Sequence, residues 1–216
     1  MTLVKICGLL TVEDAIFTAK AGADFIGLVF AEGRRQVDMD TAAEIIRGVH
    51  SLNTNTGIIG VFVNTPSEEV NRIVSILGLD RVQLSGDETW EYCLHIGYPI
   101  IKVIHITGTK TAPEIIDELD AGSRLMANRN WMFLLDTAID GKYGGTGRTF
   151  NWSIAAEVAQ RFPAMIAGGL DPDNVAKAVS QVKPLGVDVS TGIETDKQKD
   201  RIKITKFINA VKGDIL

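Results

Sequence analysis

Leu3-Val4-Lys5-Ile6-Cys7-Gly8-Leu9-Leu10-Thr11-Val12-Glu13-Asp14 decides the fold. Leu3–Cys7 reads as a short apolar strand, and Gly8 turns the chain. Thr11-x-x-Asp14 is then a capping-box-like start to a helix carrying Ala15, Ile16 and Ala19. An open doubly wound sheet that binds dinucleotides would carry a glycine-rich fingerprint after its first strand. Cys7-Gly8-Leu9-Leu10 carries none. This first strand–turn–helix is therefore the unit to look for again.

It recurs along the chain. Asp24–Phe30 is followed by a helix over Thr41–Val49, Gly57–Val63 by Pro66–Leu77, and Arg81–Leu84 by Glu88–Ile96. Pro99–Ile106 leads to Pro113–Leu119, Trp131–Asp136 to Trp152–Gln160, Ala164–Ala167 to Pro172–Val182, and Gly186–Val189 to Lys199–Val211. Strict alternation implies a parallel sheet covered by helices. Eight units in 216 residues average about 27 residues each, which fits an α/β chain folded as one compact (β/α)8 TIM barrel, residues 1–216, better than an open sheet of about five or six strands.

Bulk properties agree with an ordinary globular chain and exclude several classes. Apolar residues make up 45% and charged ones 23%. The net charge of −5, with Lys and Arg scattered, gives no support to a nucleic-acid partner. No run approaches the roughly 18 apolar residues of a membrane span, and the opening MTLVKICGLL turns polar too soon for a secretory signal. Two cysteines, Cys7 and Cys93, make no disulfide framework, and His50, His95 and His105 lack metal-ligand spacing. The expectation is a cytoplasmic protein without metal.

Alternation within each strand sorts residues into two faces. If Val4, Ile6, Val82, Leu84, Phe133, Leu135, Val187 and Val189 face the helices, then Lys5, Cys7, Gln83, Ser85, Asp136 and Asp188 face the barrel axis. Inward polar groups are costly unless paired or used. They gather near strand C-termini, where barrels keep their chemistry, so these are the candidate site residues.

Cys7 is either a small buried hydrophobe or a functional thiol whose pKa the Lys5 ammonium lowers from about 8.5, supplying thiolate at neutral pH. Lys5 is alternatively a structural partner of Asp188. Asp136 follows the apolar run Trp131–Leu135. Partial desolvation there would raise its pKa and suit a general acid, whereas a helix cap or loop anchor is the bland alternative. Gly144-Gly145-Thr146-Gly147-Arg148 fails the spacing of a phosphate-binding P-loop, because Lys142 stands where its first glycine belongs. It reads as a flap beside Asp136. Gly168-Gly169 after strand seven and Ser190-Thr191-Gly192 after strand eight form the strongest signal. Adjacent loops of this kind bind phosphate through backbone N–H groups and hydroxyls.

In order, Lys5-Ile6-Cys7-Gly8, Gly22-Ala23-Asp24, Gly27-Leu28-Val29-Phe30, Gly60-Val61-Phe62-Val63-Asn64 and Val82-Gln83-Leu84 cover the first half of the chain. Leu134-Leu135-Asp136-Thr137, Gly144 to Trp152, Ala167-Gly168-Gly169-Leu170 and Val187 to Glu194 cover the second. Together this set resembles the phosphoribosylanthranilate isomerases of tryptophan biosynthesis. The resemblance implies an Amadori rearrangement of a phosphorylated small molecule, without metal or organic cofactor. It matches Asp136 to the general acid that opens the furanose ring and Cys7 to the base that removes the C2′ proton. Arg35 matches the residue that binds the anthranilate carboxylate. Asp188, Lys5 and Ser85 are placed near substrate, and Gly168, Gly169, Ser190, Thr191 and Gly192 at the phosphate.

Two stretches depart from the family. Phe30-Ala31-Glu32-Gly33-Arg34-Arg35-Gln36-Val37 is one residue shorter than the usual F-A-P-x-S-P-R-x-V, a change that could turn Arg34 into the role of Arg35. Val82-Gln83-Leu84-Ser85-Gly86-Asp87-Glu88 has serine where the family has a histidine, and His105 stands where many members have arginine. A sister isomerase acting on another phosphoribosyl aminoaldose, and an idle phosphate-binding barrel, are the competing readings.

Overall fold

In the computed structural model, described over residues 1–106, 110–139, 142–143 and 152–213, strands and helices alternate as the sequence leads one to expect. The strands are β1 (Leu3–Cys7), β2 (Phe25–Val29), β3 (Gly57–Phe62), β4 (Arg81–Leu84), β5 (Ile100–Ile106), β6 (Trp131–Ile139), β7 (Ala164–Ile166) and β8 (Gly186–Val189). Between them run α1 (Val12–Lys20), α2 (Met39–His50), α3 (Ser67–Leu77), α4 (Trp90–Cys93), α5 (Ala112–Leu125), α6 (Trp152–Arg161), α7 (Val175–Val182) and α8 (Arg201–Lys212). Every neighbouring pair of these strands is parallel, and β1–β8 and β5–β6 pairing closes the ring. The chain is a (β/α)8 barrel.

The two faces of the strands separate into two cores. Val4, Ile6, Val82, Leu84, Phe133, Leu135, Val187 and Val189 pack with the helices in the larger one. Ile59, Ile101, Val103, Leu134, Met165 and Ala167 form a smaller cluster inside the barrel. Inward positions are thus filled by side chains, and the polar ones must find partners there.

Local hydrogen bonds set the element ends, some where the sequence reading puts them and some not. Thr11 Oγ1 accepts from Asp14 N at 3.2 Å, so α1 starts where expected. The helix expected over Glu88–Ile96 shrinks to one turn, because Glu88 accepts from Asn64 N at 2.7 Å and Gly86 N at 2.8 Å and stays in the loop. In place of a start at Pro172, Asp171 Oδ1 accepts from Asp173 N and Asn174 N, both at 2.9 Å, which postpones α7 to Val175.

Lys199 does not begin α8. Asp196 and Lys197, at φ 50° and 66°, turn a two-residue hairpin between Glu194–Thr195 and Gln198–Lys199. Positive φ at both central positions suits such a turn. Asp200 then caps α8 by accepting from Ile202 N at 2.9 Å.

Candidate active site

The C-terminal ends of the strands surround a cavity of about 330 Å³. Of the expected site residues, Cys7, Arg35, Ser85, Asp136, Gly168, Gly169, Asp188, Ser190, Thr191 and Gly192 all line it. Lys5 does not. It lies one layer lower, wholly buried, with Nζ 3.0 Å from Asp188 Oδ1. β1 and β8 pair Lys5 directly with Asp188. Lys5 is thus a buried counter-charge beneath the cavity rather than part of its wall, which favours the structural alternative for this residue.

Cys7 ends β1 at 8% exposure. Its register partner on β2 is Gly27. A Cβ there would come within 2.8 Å of Cys7 Sγ and 3.1 Å of Lys5 Nζ, so glycine makes room for both. The expectation of a lowered thiol pKa is overturned. Burial pushes the thiol up and Asp188 adds to this, outweighing the opposing pull of Lys5 and Lys199. Desolvation wins because the thiolate would lose most of its water, while the Lys5 charge is already committed to Asp188.

The two glycine loops behave as one unit. Gly168 and Gly169 sit at φ 91° and 65°, backbone that L side chains rarely adopt. Asn174 Nδ2 donates to Gly169 O at 2.8 Å and fixes the first loop. In the second, a Cβ on Gly192 would lie 1.9 Å from Leu170 O, so only glycine lets the loops pack together. Ser190 Oγ donates to Cys7 O at 3.0 Å, which ties this loop to the end of β1.

Two residues that sequence reasoning did not place organise the same corner. Lys199 Nζ donates to Ser190 O at 2.9 Å and Glu194 Oε1 at 3.1 Å. Glu194 also pairs with both arginines of the β2–α2 loop: Arg35 Nε donates at 2.9 Å, and Arg34 Nη2 donates to Oε2. Burial alone would raise the Glu194 carboxyl, but Arg35, Arg34 and Lys199 bring it down to about 2. Arg35 Nη2 further donates to Thr191 Oγ1 at 2.8 Å. The guanidinium expected at the far end of a substrate therefore rests against the loop after β8, with its stem over Gly8. Only the two-residue hairpin carries the signal for Lys199, and Asp196-Lys197 does not announce a turn as glycine would.

Across the mouth, Asp136 lies on β6 in register with His105 on β5. Ser85 Oγ accepts from Gln83 Nε2 at 3.0 Å, and His105 Nε2 donates to Ser85 O at 3.0 Å. Val29, Ala31, Val61 and Val63 add an apolar lining to the same cavity. The glycine-rich stretch Gly144–Asn151 lies outside the described residues.

Known proteins resemble this chain along nearly its whole length, and solved structures resemble its barrel. The family profile described as "PRAI: N-(5'phosphoribosyl)anthranilate (PRA) isomerase" matches residues 4–210. An N-(5'-phosphoribosyl)anthranilate isomerase of Dehalococcoides mccartyi is 46% identical over 98% of this chain and 96% of its own. The "Tryptophan biosynthesis protein TRP1" of Phytophthora nicotianae is 37% identical over 99% of this chain and 47% of its own. A phosphoribosyl anthranilate isomerase crystallised with reduced 1-(o-carboxyphenylamino)-1-deoxyribulose 5-phosphate superposes with a TM-score of 0.79 at 32% identity, covering 99% of this chain and 100% of that one. The chain belongs to the N-(5'-phosphoribosyl)anthranilate isomerase family.

Proposed function

We propose that this barrel converts N-(5'-phosphoribosyl)anthranilate into 1-(o-carboxyphenylamino)-1-deoxyribulose 5-phosphate, an Amadori rearrangement in tryptophan biosynthesis. The observation that carries the reading is one cavity walled by Cys7 on β1, Asp136 on β6 and both glycine loops. Asp136 acts as general acid. It protonates the furanose ring oxygen, the C1′–O bond breaks, and the nitrogen lone pair forms a Schiff base. Cys7 then acts as general base and removes the C2′ proton, leaving an enolamine that tautomerises to the aminoketone. Each step is a proton exchange with Asp136 or Cys7 or an electron-pair shift within the substrate, and the reading assigns none of them to a metal or an organic cofactor.

The phosphate occupies the loops bearing Gly168, Gly169, Ser190, Thr191 and Gly192. Asp188 sits beside the ribose, and Arg35 takes the anthranilate carboxylate by a two-pronged contact once substrate draws it off Thr191. Because burial holds the thiol up, Cys7 first releases its own proton to solvent at the open mouth, and the thiolate so formed takes the C2′ proton. The whole barrel is one working domain, set in a reducing cytoplasm where Cys7 stays a free thiol. Among the described residues no helix is long and apolar enough to cross a membrane.

Genetic complementation tests the assignment. A tryptophan auxotroph lacking only this isomerase should grow without tryptophan when given the chain, and not when given Asp136→Asn. Failure of the expressed, folded parent to support growth would contradict the assignment.

A further inference from the structure

His105 is a histidine of the cavity wall for which the steps above give no task. Three features single it out. It lines the cavity. It is the register partner of Asp136 on the neighbouring strand. Its Nε2 donates to Ser85 O at 3.0 Å from the strand on its other side. Parallel strands lie about 4.8 Å apart and register partners point to the same face, so His105 and Asp136 enter the cavity from adjacent positions.

The Ser85 contact also fixes the chemistry of the ring. A carbonyl can only accept, so Nε2 carries a proton and the imidazole cannot swing about its bond to Cβ without losing that contact. The Ser85 side chain is short and held aside by Gln83 Nε2 at 3.0 Å, which leaves the space over its own carbonyl to the ring.

We propose that His105 is the positioning residue for Asp136: anchored on Ser85 O through its Nε2–H, its neutral ring offers Nδ1 as acceptor to the protonated carboxyl and so holds that acid where its proton can reach the substrate's ring oxygen. This rests on the assignment of Asp136 as general acid. The charged groups around the imidazole are Lys102 on its own strand, Asp87 and Glu88 after β4, and Asp136 on β6. Burial holds the ring below the ordinary imidazole value and Lys102 adds to this, while the Ser85 contact, Asp87 and Glu88 oppose it. At neutral pH the ring is uncharged, so it does not pull the proton off its neighbour as a cation would.

Steady-state kinetics on N-(5'-phosphoribosyl)anthranilate across pH, with the parent, His105→Ala, His105→Gln and Asp136→Asn, tests this. His105→Ala should lower kcat about ten- to hundredfold, the cost of a displaced catalytic group. KM should change by less than about threefold, because ground-state binding is not what is lost. The limb of the kcat profile that reports the acid should shift with it. His105→Gln keeps a donor near the Nε2 position and should recover most of the loss. Circular dichroism confirms that each variant is folded. If His105→Ala keeps the parental kcat and profile while Asp136→Asn is inactive, the positioning role is wrong and the acid assignment stands. If His105→Gln is as slow as His105→Ala, the Ser85 anchor is not what matters and the inference is also overturned. If Asp136→Asn itself turns over normally, the acid assignment fails and takes the inference with it.

Discussion

Replacing Lys5 by methionine isolates the ion pair under the cavity. Lys5 is wholly buried and the Asp188 side chain is only 9% exposed, with 3.0 Å between Nζ and Oδ1. Methionine keeps most of the volume and removes the charge, so Asp188 is left desolvated without its cation. Breaking a buried pair in this way costs about 3–5 kcal/mol, a large share of the roughly 5–15 kcal/mol that holds an ordinary domain folded. Burial alone would lower the Lys5 ammonium, but Asp188 and Cys7 raise it above its ordinary value. A raised folded pKa keeps this contribution fully present below the unfolded value and loses it only as pH climbs through the folded one. The parent should therefore hold the pair across neutral pH.

Urea unfolding followed by circular dichroism at pH 7 reads the loss. Iodoacetamide alkylation of the folded protein against pH reads the second effect. Without the ammonium nothing at that position opposes desolvation, so the Cys7 midpoint should rise above the parent's already raised one. Cys93, pushed up to about 11 by burial, should stay silent at neutral pH in both. The double variant Lys5→Met with Asp188→Leu leaves no buried charge and should regain much of the stability. A Lys5→Met protein within about 1 kcal/mol of the parent, or a Cys7 midpoint that falls, would refute the reasoning.

Glu194 should make stability fall in acid. Its folded carboxyl lies near 2 against the usual 4.5, so its contribution is present above about pH 4.5 and disappears as pH falls toward 2. Thermal melts of Glu194→Gln should lack that part of the slope. Gly192→Ala would place a Cβ 1.9 Å from Leu170 O and force the two glycine loops apart, so calorimetry with a non-reacting phosphorylated product analogue should show weakened binding. Arg35→Met should raise KM for phosphoribosylanthranilate by several-fold to about a hundredfold, as for a lost charged hydrogen bond of roughly 1.5–3 kcal/mol. If Arg34→Met does so instead, the shortened loop has exchanged the two arginines.

The barrel was legible because period-two alternation and the strand–helix rhythm are local properties. Val4, Ile6, Val187 and Val189 declare their outward face by neighbours two residues away, and Lys5, Cys7 and Asp188 follow by subtraction. The glycine loops were legible because positive φ at Gly168 and Gly169 leaves a residue-type mark. What escaped depends on contacts far apart in the chain. Glu194 gathers Arg34, Arg35 and Lys199 only once β2 and β8 share a barrel mouth, and no spacing rule encodes that meeting. The one-turn α4 escaped because Glu88, a good helix former, is drawn away by Asn64 and Gly86 N–H groups. The raised Cys7 thiol is not legible for a related reason. The neighbouring cation is visible in the sequence, but the depth of burial and the prior claim of Asp188 on that cation are not.

The central claim is that one cavity in this chain isomerises phosphoribosylanthranilate with Asp136 as acid and Cys7 as base. Its most direct test mixes the purified protein with freshly generated phosphoribosylanthranilate and follows the decay of substrate fluorescence, with Cys7→Ala and Asp136→Asn run beside it. The parent should remove the signal catalytically, and each variant, folded by circular dichroism, should be slower by about 10²–10⁴-fold in kcat. A parent that leaves the fluorescence unchanged, or a variant that matches the parent, would contradict the claim.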